Sequence, residues 1–113
     1  MKKKQIRVRC WVDLNGEKFF GPGPAELLQL IHNTGSISKA ARSMGMSYKK
    51  AWDIVDTINT RGQTPYVISQ KGGRKGGGAQ LTARGKSIVS AYNKLTRKIN
   101  DIVAKDKDLL KLI

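Results

Sequence analysis

The clearest pattern of apolar and polar positions lies in residues 35–61, where it predicts two helices joined by a tight turn. A first helix over 37–44 would be capped by Ser36, and a second helix would be capped by Ser47. Between them, Gly45 suits the left-handed conformation that ends a helix. Helical spacing divides the second helix into a packing side and a polar side. The packing side is predicted to contain Tyr48, Ala51, Trp52, Ile54, Val55 and Ile58.

The chain opens with alternating apolar and polar residues, which predict a strand over residues 6–14. Asn15-Gly16 is typical of a type I′ turn, and Glu17–Phe20 would return as a second strand. We therefore expect an N-terminal hairpin over residues 5–20. One face of this hairpin needs a cover, which is either the body of the domain or a partner subunit.

Another helix is predicted to lie between this hairpin and the helix pair. Pro24 suits the first position of a helix, and Gly35 suits its end. This helix would support the other two from behind, which gives a three-helix core over residues 24–61. Its apolar stripe consists of Leu27, Leu28, Leu30 and Ile31.

A glycine-rich basic loop follows the helix pair and is flanked by two short apolar segments. Residues 66–70 and 79–82 are predicted to be antiparallel strands, so that 66–82 forms a hairpin directly after the second helix of the pair. This is the position of the wing in a winged helix. The glycines allow the backbone to approach phosphates, although a solvated loop is the alternative. The cationic residues of the loop are Lys71, Arg74 and Lys75.

The last predicted helix spans residues 83–112, with Thr82 as its cap. Its apolar residues recur at alternating intervals of four and three, which is typical of a coiled-coil seam. We expect the distal part of the seam to contact a second copy of the chain, with an entirely intramolecular helix as the alternative. The residues of the seam are Ile88, Tyr92, Leu95, Ile99 and Ile102.

The charge of the chain indicates a polyanionic partner. It has 113 residues, which suit one domain, and 22 Lys plus Arg against 8 Asp plus Glu give a net charge of +14. Double-stranded DNA is the favoured partner. A membrane is disfavoured, because no stretch approaches the roughly 20 apolar residues that span one. The basic start over residues 1–4 precedes a charged strand and is not typical of a signal peptide, so we expect a cytoplasmic protein associated with the nucleoid.

The polar side of the second helix of the pair carries the candidates for base recognition, namely Lys49, Lys50 and Asp53. In a recognition helix the first turns face the base edges; Lys can donate to guanine and Asp can accept from cytosine. Hydroxyl and basic side chains near helix starts suit phosphate oxygens. The candidates for phosphate contact are Ser36, Ser38, Lys39, Arg42, Ser47 and Tyr48.

Enzyme chemistry finds little support in the sequence. Cys10 is the only cysteine and His32 the only histidine, so neither an internal disulfide, a zinc site nor a catalytic triad is expected. Residues 85–87 resemble the end of a P-loop, but Gln80 stands where the first glycine is required. We therefore expect no catalytic residue, metal or cofactor.

These elements predict a mainly α-helical fold with a little β structure (α+β), a winged helix-turn-helix with an N-terminal β-hairpin and a long C-terminal helix. The blocks GSIS, MSYKKAW and GGGAQLT occur in that order within residues 8–92, which resemble the DNA-binding domain of the ModE molybdate-responsive transcriptional regulators. The resemblance implies an operator-binding dimer that controls genes of molybdenum uptake and use. It also implies DNA contacts at 47–50 and 71–75, and a dimer interface from Ile88 onward.

Members of that family sense oxyanions through C-terminal β-barrel domains, and the 113 residues end before such a domain. We therefore expect a stand-alone DNA-binding domain, which binds constitutively, responds to another signal or pairs with a separately encoded sensor. A fragment of a longer protein would have the same sequence. Two other function classes remain at this point, a non-specific architectural DNA- or RNA-binding protein and a phosphate-handling enzyme.

Overall fold

The computed structural model describes residues 2–70 and 78–113. Within them the fold is mainly α-helical with two small antiparallel sheets, as the sequence predicts. The first three helices followed by the second hairpin form a winged helix-turn-helix. The elements are β1 (Val12–Leu14), β2 (Glu17–Phe20), α1 (Pro22–Thr34), α2 (Ile37–Ser43), α3 (Tyr48–Arg61), β3 (Val67–Gln70), β4 (Gly78–Leu81), α4 (Ala83–Ala104) and a short 3-10 turn (Leu110–Leu112).

The N-terminal hairpin is shorter than predicted. Asn15 and Gly16 both have positive φ, as a type I′ turn requires, so the predicted turn is confirmed. The predicted strand is wrong for residues 6–11, because β1 begins only at Val12. Val12 already pairs with Phe20, the last residue of β2, so the ladder has no further partner for the residues before it. Alternating apolar and polar side chains form a strand only where a neighbouring strand supplies backbone hydrogen bonds.

Arg61 attaches this hairpin to the end of α3. Its Nη2 donates to the carbonyl oxygen of Leu14 at 2.7 Å, and its Nη1 lies 3.6 Å from the Glu17 carboxylate. Both contacts fall at the turn end of the hairpin. The guanidinium group of Arg61 thus holds the turn end of the hairpin, since its donors form a rigid fork, while the buried Phe20 holds the other end of β2 in the core.

Helix α1 forms the centre of the core. Leu27, Leu28 and Ile31 are fully buried, and each such side chain stabilises the fold by roughly 1.5–3 kcal/mol. The helix begins at Pro22, two residues before the predicted start, and ends as predicted at Gly35, whose φ is 70°. The predicted apolar stripe is thus confirmed.

Small residues bring the two helices of the predicted pair together. Ala40 and Ala41 of α2 and Ala51 of α3 have almost no exposed surface, so the helix backbones approach closely. Gly45 has a φ of 69° in the turn between the helices. The pair therefore has the predicted short turn, and its two helices pack closely.

The second hairpin is joined to the end of α1. Strands β3 and β4 are antiparallel, with Val67 opposite Leu81, and both of these side chains are buried. The backbone N–H of Ala79 donates to the carbonyl oxygen of Gly35 at 2.9 Å. Because the hairpin is held by the core on one face, its position relative to α3 is set by the domain.

Helix α4 begins as predicted and ends earlier. The Thr82 hydroxyl accepts from the N–H of Gly85 at 3.0 Å and donates to the carbonyl oxygen of Pro65 at 2.8 Å. A Cβ on Gly85 would overlap the Tyr66 carbonyl, so this glycine permits close packing. The predicted helical range to residue 112 is wrong.

The helix stops at Ala104, and Lys105 caps its C-terminus. The Asp106 carboxylate then accepts from the N–H of Leu109 at 3.1 Å, which starts a separate turn. A short polar side chain that bonds to nearby backbone groups competes with a continuing helix. The apolar residues of the C-terminal tail therefore do not continue the apolar stripe of α4.

Candidate nucleic-acid interface

The N-terminal turns of α3 carry an exposed charged surface. The Ser47 hydroxyl accepts from the N–H of Lys50 at 3.1 Å, so the predicted cap is confirmed. Lys49 and Lys50 are both exposed, as the sequence predicts, while Val55 and Ile58 on the opposite side are buried. The helix thus separates a packing side from a charged side that solvent can reach.

One of the three candidate base-reading residues is paired with another. The Nζ of Lys49 lies 3.2 Å from a carboxylate oxygen of Asp53, one turn later, and both side chains are well exposed. Exposed pairs of this kind contribute only about 0.3–0.5 kcal/mol in helices, so a ligand can break them at little cost. Lys50, one residue further on, is the lysine of the two with no such ion pair among the described residues.

Two aromatic residues of α3 do not lie where the pattern placed them. Tyr48 and Trp52 are predicted on the packing side, yet 54% of the Tyr48 surface and 43% of the Trp52 surface are exposed. The buried side of α3 is centred on Ala51 and Val55; Trp52 lies at about 100° from Ala51 around the axis, at the edge of the contact with the core. The packing role predicted for these two residues is therefore wrong.

Helix α2 presents a smaller polar surface. The Ser36 hydroxyl accepts from the N–H of Lys39 at 3.1 Å and caps the helix as predicted. This leaves the hydroxyl hydrogen of Ser36 available to an acceptor. The other candidates on this helix, Ser38, Lys39 and Arg42, are all exposed. Together they form a second group of potential phosphate donors close to the start of α3 in sequence.

The predicted basic loop lies outside the described residues. Lys71, Arg74 and Lys75 belong to the segment 71–77, and their roles stay a prediction. The structure describes the base of the hairpin, strands β3 and β4. These strands come directly after α3 in chain order, as the strands of a wing do.

Asn59 joins α3 to the first strand of this hairpin, which the sequence did not indicate. Its Oδ1 accepts from the N–H groups of Tyr66 and Val67, at 2.8 and 3.2 Å, and its Nδ2 donates to the carbonyl oxygen of Val67 at 2.8 Å. These three hydrogen bonds lie between the helix and the start of the strand. In the sequence an asparagine within a helix resembles any solvated polar residue, so only the structure reveals this link.

The predicted coiled-coil seam of α4 divides into two parts. Tyr92 is buried: its ring packs edge-on against Phe20 with centroids 5.4 Å apart, and its hydroxyl donates to the carbonyl oxygen of Cys10 at 2.8 Å. Ile88 is half-buried against the same core. Tyr92 thus packs within its own domain, and its predicted role in a dimer interface stays a prediction.

The distal part of the seam projects beyond the core. Leu95 is 44% exposed and Ile102 is 73% exposed, with the half-buried Ile99 between them. These positions recur at intervals of four and three along one side of the helix. They form an apolar stripe, which we call the distal stripe, that the described part of the domain leaves largely uncovered.

The Tyr92 hydroxyl is a titratable group that lies in the core of the domain. Burial raises the pKa of the Tyr92 hydroxyl, and the neighbouring Cys10 raises it further. Cys10 is half-buried with a free thiol, and His32 is exposed near the end of α1.

Across 2–70 and 78–113, no group of three or more potential metal ligands occurs. No helix in this part of the chain combines the length and the apolar character needed to cross a membrane.

No family model matches the chain, but individual relatives do. The molybdenum transport protein ModE of Azotobacter vinelandii is 38% identical over 91 residues, which cover 71% of this chain and 34% of that protein. Transcriptional regulator ModE of Yersinia pestis is 37% identical over 91 residues, covering 80% of this chain and 35% of the relative.

A third relative matches nearly the whole chain. The DNA-binding transcriptional dual regulator ModE of Escherichia coli K12 is 33% identical over 108 residues, covering 93% of this chain and 41% of the relative. The chain thus spans between about a third and two fifths of the length of these relatives. Over most of its own length, this winged helix-turn-helix protein is therefore ModE-like.

Proposed function

We propose that this protein is a sequence-specific DNA-binding transcriptional regulator, active in the cytoplasm, that recognises operator DNA through α3 and the β3–β4 hairpin. The observation that carries the proposal is the two-sided character of α3. Val55 and Ile58 fix one side to the core, while Lys49 and Lys50 project from the first turn of the other side. A recognition helix needs this division, because its first turns enter the major groove while its opposite side is held by the domain.

The surroundings of α3 support binding to phosphates on either side of the groove. The exposed residues of α2 precede the reading helix, and the hairpin that follows it leads into the cationic segment 71–77. A net charge of +14 favours a polyanion through counterion release. Base contacts by α3 and phosphate contacts around it would then supply specificity and affinity respectively.

We further propose that the protein binds DNA as a homodimer through the distal stripe of α4. Leu95, Ile99 and Ile102 leave apolar surface on a helix that extends beyond the core. A two-fold pair of recognition helices would match a palindromic operator whose half-sites are about 34–36 Å apart. With Tyr92 packed in the domain core, the proposed interface begins at Leu95, two turns after Ile88, where the predicted interface began.

The relatives motivate a physiological proposal. Because their names are those of molybdenum transport and transcriptional regulators, we propose that this protein regulates genes connected with molybdenum. The signal would reach this domain through a further part of the chain or through a separately encoded sensor. We propose no catalytic activity, since the function rests on binding alone.

Selection of bound fragments from genomic DNA with the purified protein tests this function. We expect an enriched palindromic motif, and an affinity for it that exceeds the affinity for unrelated DNA by roughly 10³ to 10⁷. The high positive charge also favours a second candidate, a non-specific architectural binder of DNA or RNA. An affinity ratio near one would support that candidate and exclude a sequence-specific regulator.

A further inference from the structure

The exposed aromatic residues of α3 point to a specific kind of contact. Tyr48 and Trp52 lie one helical turn apart, so their side chains project from neighbouring positions on the same side of the helix. About half of each side chain is exposed. We call these two side chains the aromatic edge of α3.

The aromatic edge adjoins the charged surface of the same two turns. Lys49 follows Tyr48 in the chain and Asp53 follows Trp52, so each aromatic side chain has a charged neighbour in the first part of α3. A partner that meets Lys49 therefore meets this edge as well. The charge of the lysines and of the whole chain favours DNA as that partner over an apolar protein surface.

The direction of the aromatic edge is given by Asn59. Residues seven apart in a helix point in nearly the same direction, and Asn59 follows Trp52 by seven. Since the Asn59 amide bonds to Tyr66 and Val67 at the base of the β3–β4 hairpin, this side of α3 is the side next to the hairpin. Trp52 lies on this same side of α3, two turns closer to the N-terminus than Asn59.

We propose that Trp52, with Tyr48 beside it, packs against the 5-methyl groups of thymines in each half-site of the operator. The proposal rests on the proposed function and adds a base preference to it. In the major groove the thymine methyl is the apolar feature that side chains can contact. Packing a partly exposed aromatic ring against this methyl removes apolar surface from water, which favours binding. The lysines would read guanines, and the aromatic edge would read thymines.

The test combines protein variants with modified operators taken from the selected motif. Each half-site thymine is replaced in turn by deoxyuridine, which removes only the methyl group. For the unchanged protein, loss of a contacted methyl is expected to weaken binding about fourfold, the equivalent of one buried methylene. Trp52→Ala is expected to weaken binding to the thymine operator roughly tenfold and to abolish the further effect of that deoxyuridine.

Two outcomes of this cycle overturn the proposal. If no deoxyuridine weakens binding of the unchanged protein, the edge does not contact thymine methyls, while a preserved operator preference leaves the proposed function intact. If Trp52→Ala and the deoxyuridine weaken binding independently, their effects multiply and another residue contacts the methyl. Failure to select any motif overturns both this inference and the proposed function.

Fluorescence supplies a readout that does not depend on affinity. The chain has two tryptophans, so Trp11→Phe leaves Trp52 as the only one, and Trp52→Phe leaves Trp11 as the matched control. We expect the selected operator to protect Trp52 from acrylamide quenching and to leave Trp11 quenching unchanged. Protection of Trp52 that rises with protein concentration, without DNA, would assign the edge to contact between copies and overturn the proposal.

Discussion

Helices α3 and α4 are built on the same kind of amphipathic pattern, yet they use their apolar sides differently. In α3 the central apolar residues, Ala51, Val55 and Ile58, are all buried in the core of the same domain. In α4 the stripe is buried only as far as Tyr92, and Ile102 stands largely in solvent. An amphipathic pattern thus indicates that one side of a helix can be buried. The size of the domain decides whether that side packs against its own core or remains exposed.

The largest expected effect tests the burial of the apolar side of α3 in the core. Ile58→Ala should lower the free energy of unfolding by about 2–5 kcal/mol, because it leaves a cavity against the core. Denaturant unfolding measures the change. Ile102→Ala is the matched control and should have little effect on the stability of the isolated domain, since its side chain is 73% exposed. An equal loss in both variants would remove the distinction between the two helices.

The next effect tests the exposed distal stripe of α4 as the proposed dimer interface. Ile102→Asp places a charge on the distal stripe, and a charge buried without a partner should raise the dimer dissociation constant by roughly a hundredfold. Analytical ultracentrifugation over a range of concentrations measures it. Lys94→Ala changes the net charge equally on an exposed part of α4 and should leave the dimer intact. A dimer that survives Ile102→Asp would place the interface elsewhere.

A smaller effect concerns the charged side of α3. Lys50→Ala should cost about 1–3 kcal/mol of operator binding and relax the preference at one base position, if that lysine reads a base. Lys49→Ala should cost less, because its Nζ already contacts Asp53 at 3.2 Å in the free protein. Titration of both variants with the selected operator and with single-base changes measures the difference. Equal losses on all sequences would reassign Lys50 to a phosphate.

The smallest effect concerns Tyr92, the last residue of the α4 stripe that is buried in the core. Tyr92→Phe removes the 2.8 Å hydrogen bond to the Cys10 carbonyl and should cost about 0.5–1.5 kcal/mol of stability. Tyr48→Phe, at an exposed ring, is the control. Thermal unfolding of the two variants at neutral pH makes the comparison. No difference between them would mean that the bond contributes nothing.

The raised pKa of Tyr92 adds a dependence on pH. Its folded-state pKa lies above the unfolded value of about 10, so the folded protein holds this proton more tightly. The contribution is therefore complete below about pH 10 and is lost as the pH rises through the folded value. Tyr92→Phe should weaken this alkaline loss of stability. An unchanged alkaline profile would assign the loss to other groups.

Local chemistry made much of this fold predictable. The caps Ser36, Ser47 and Thr82, and the helix end at Gly35, follow from hydrogen bonds and backbone conformations available within a few residues. The exposed Lys49 also follows from helical spacing alone. Such features require no knowledge of distant parts of the chain.

The errors occurred where distant parts of the chain decide the outcome. A strand over 6–11 requires a partner that β2 is too short to provide, and the exposure of Trp52 depends on how far the core reaches along α3. The burial of Tyr92 depends on Phe20, 72 positions away in the chain, and on Cys10. Which base each side chain of α3 meets remains a prediction, because it depends on docking to a duplex.

The Asn59 amide has a consequence for any duplex that the protein binds. By bonding to both Tyr66 and Val67, it fixes the distance between the helix and the root of the hairpin before a ligand arrives. The spacing between these two elements is therefore set by the protein and not by the duplex. A duplex whose groove dimensions do not match that separation has to bend or untwist to be held by both.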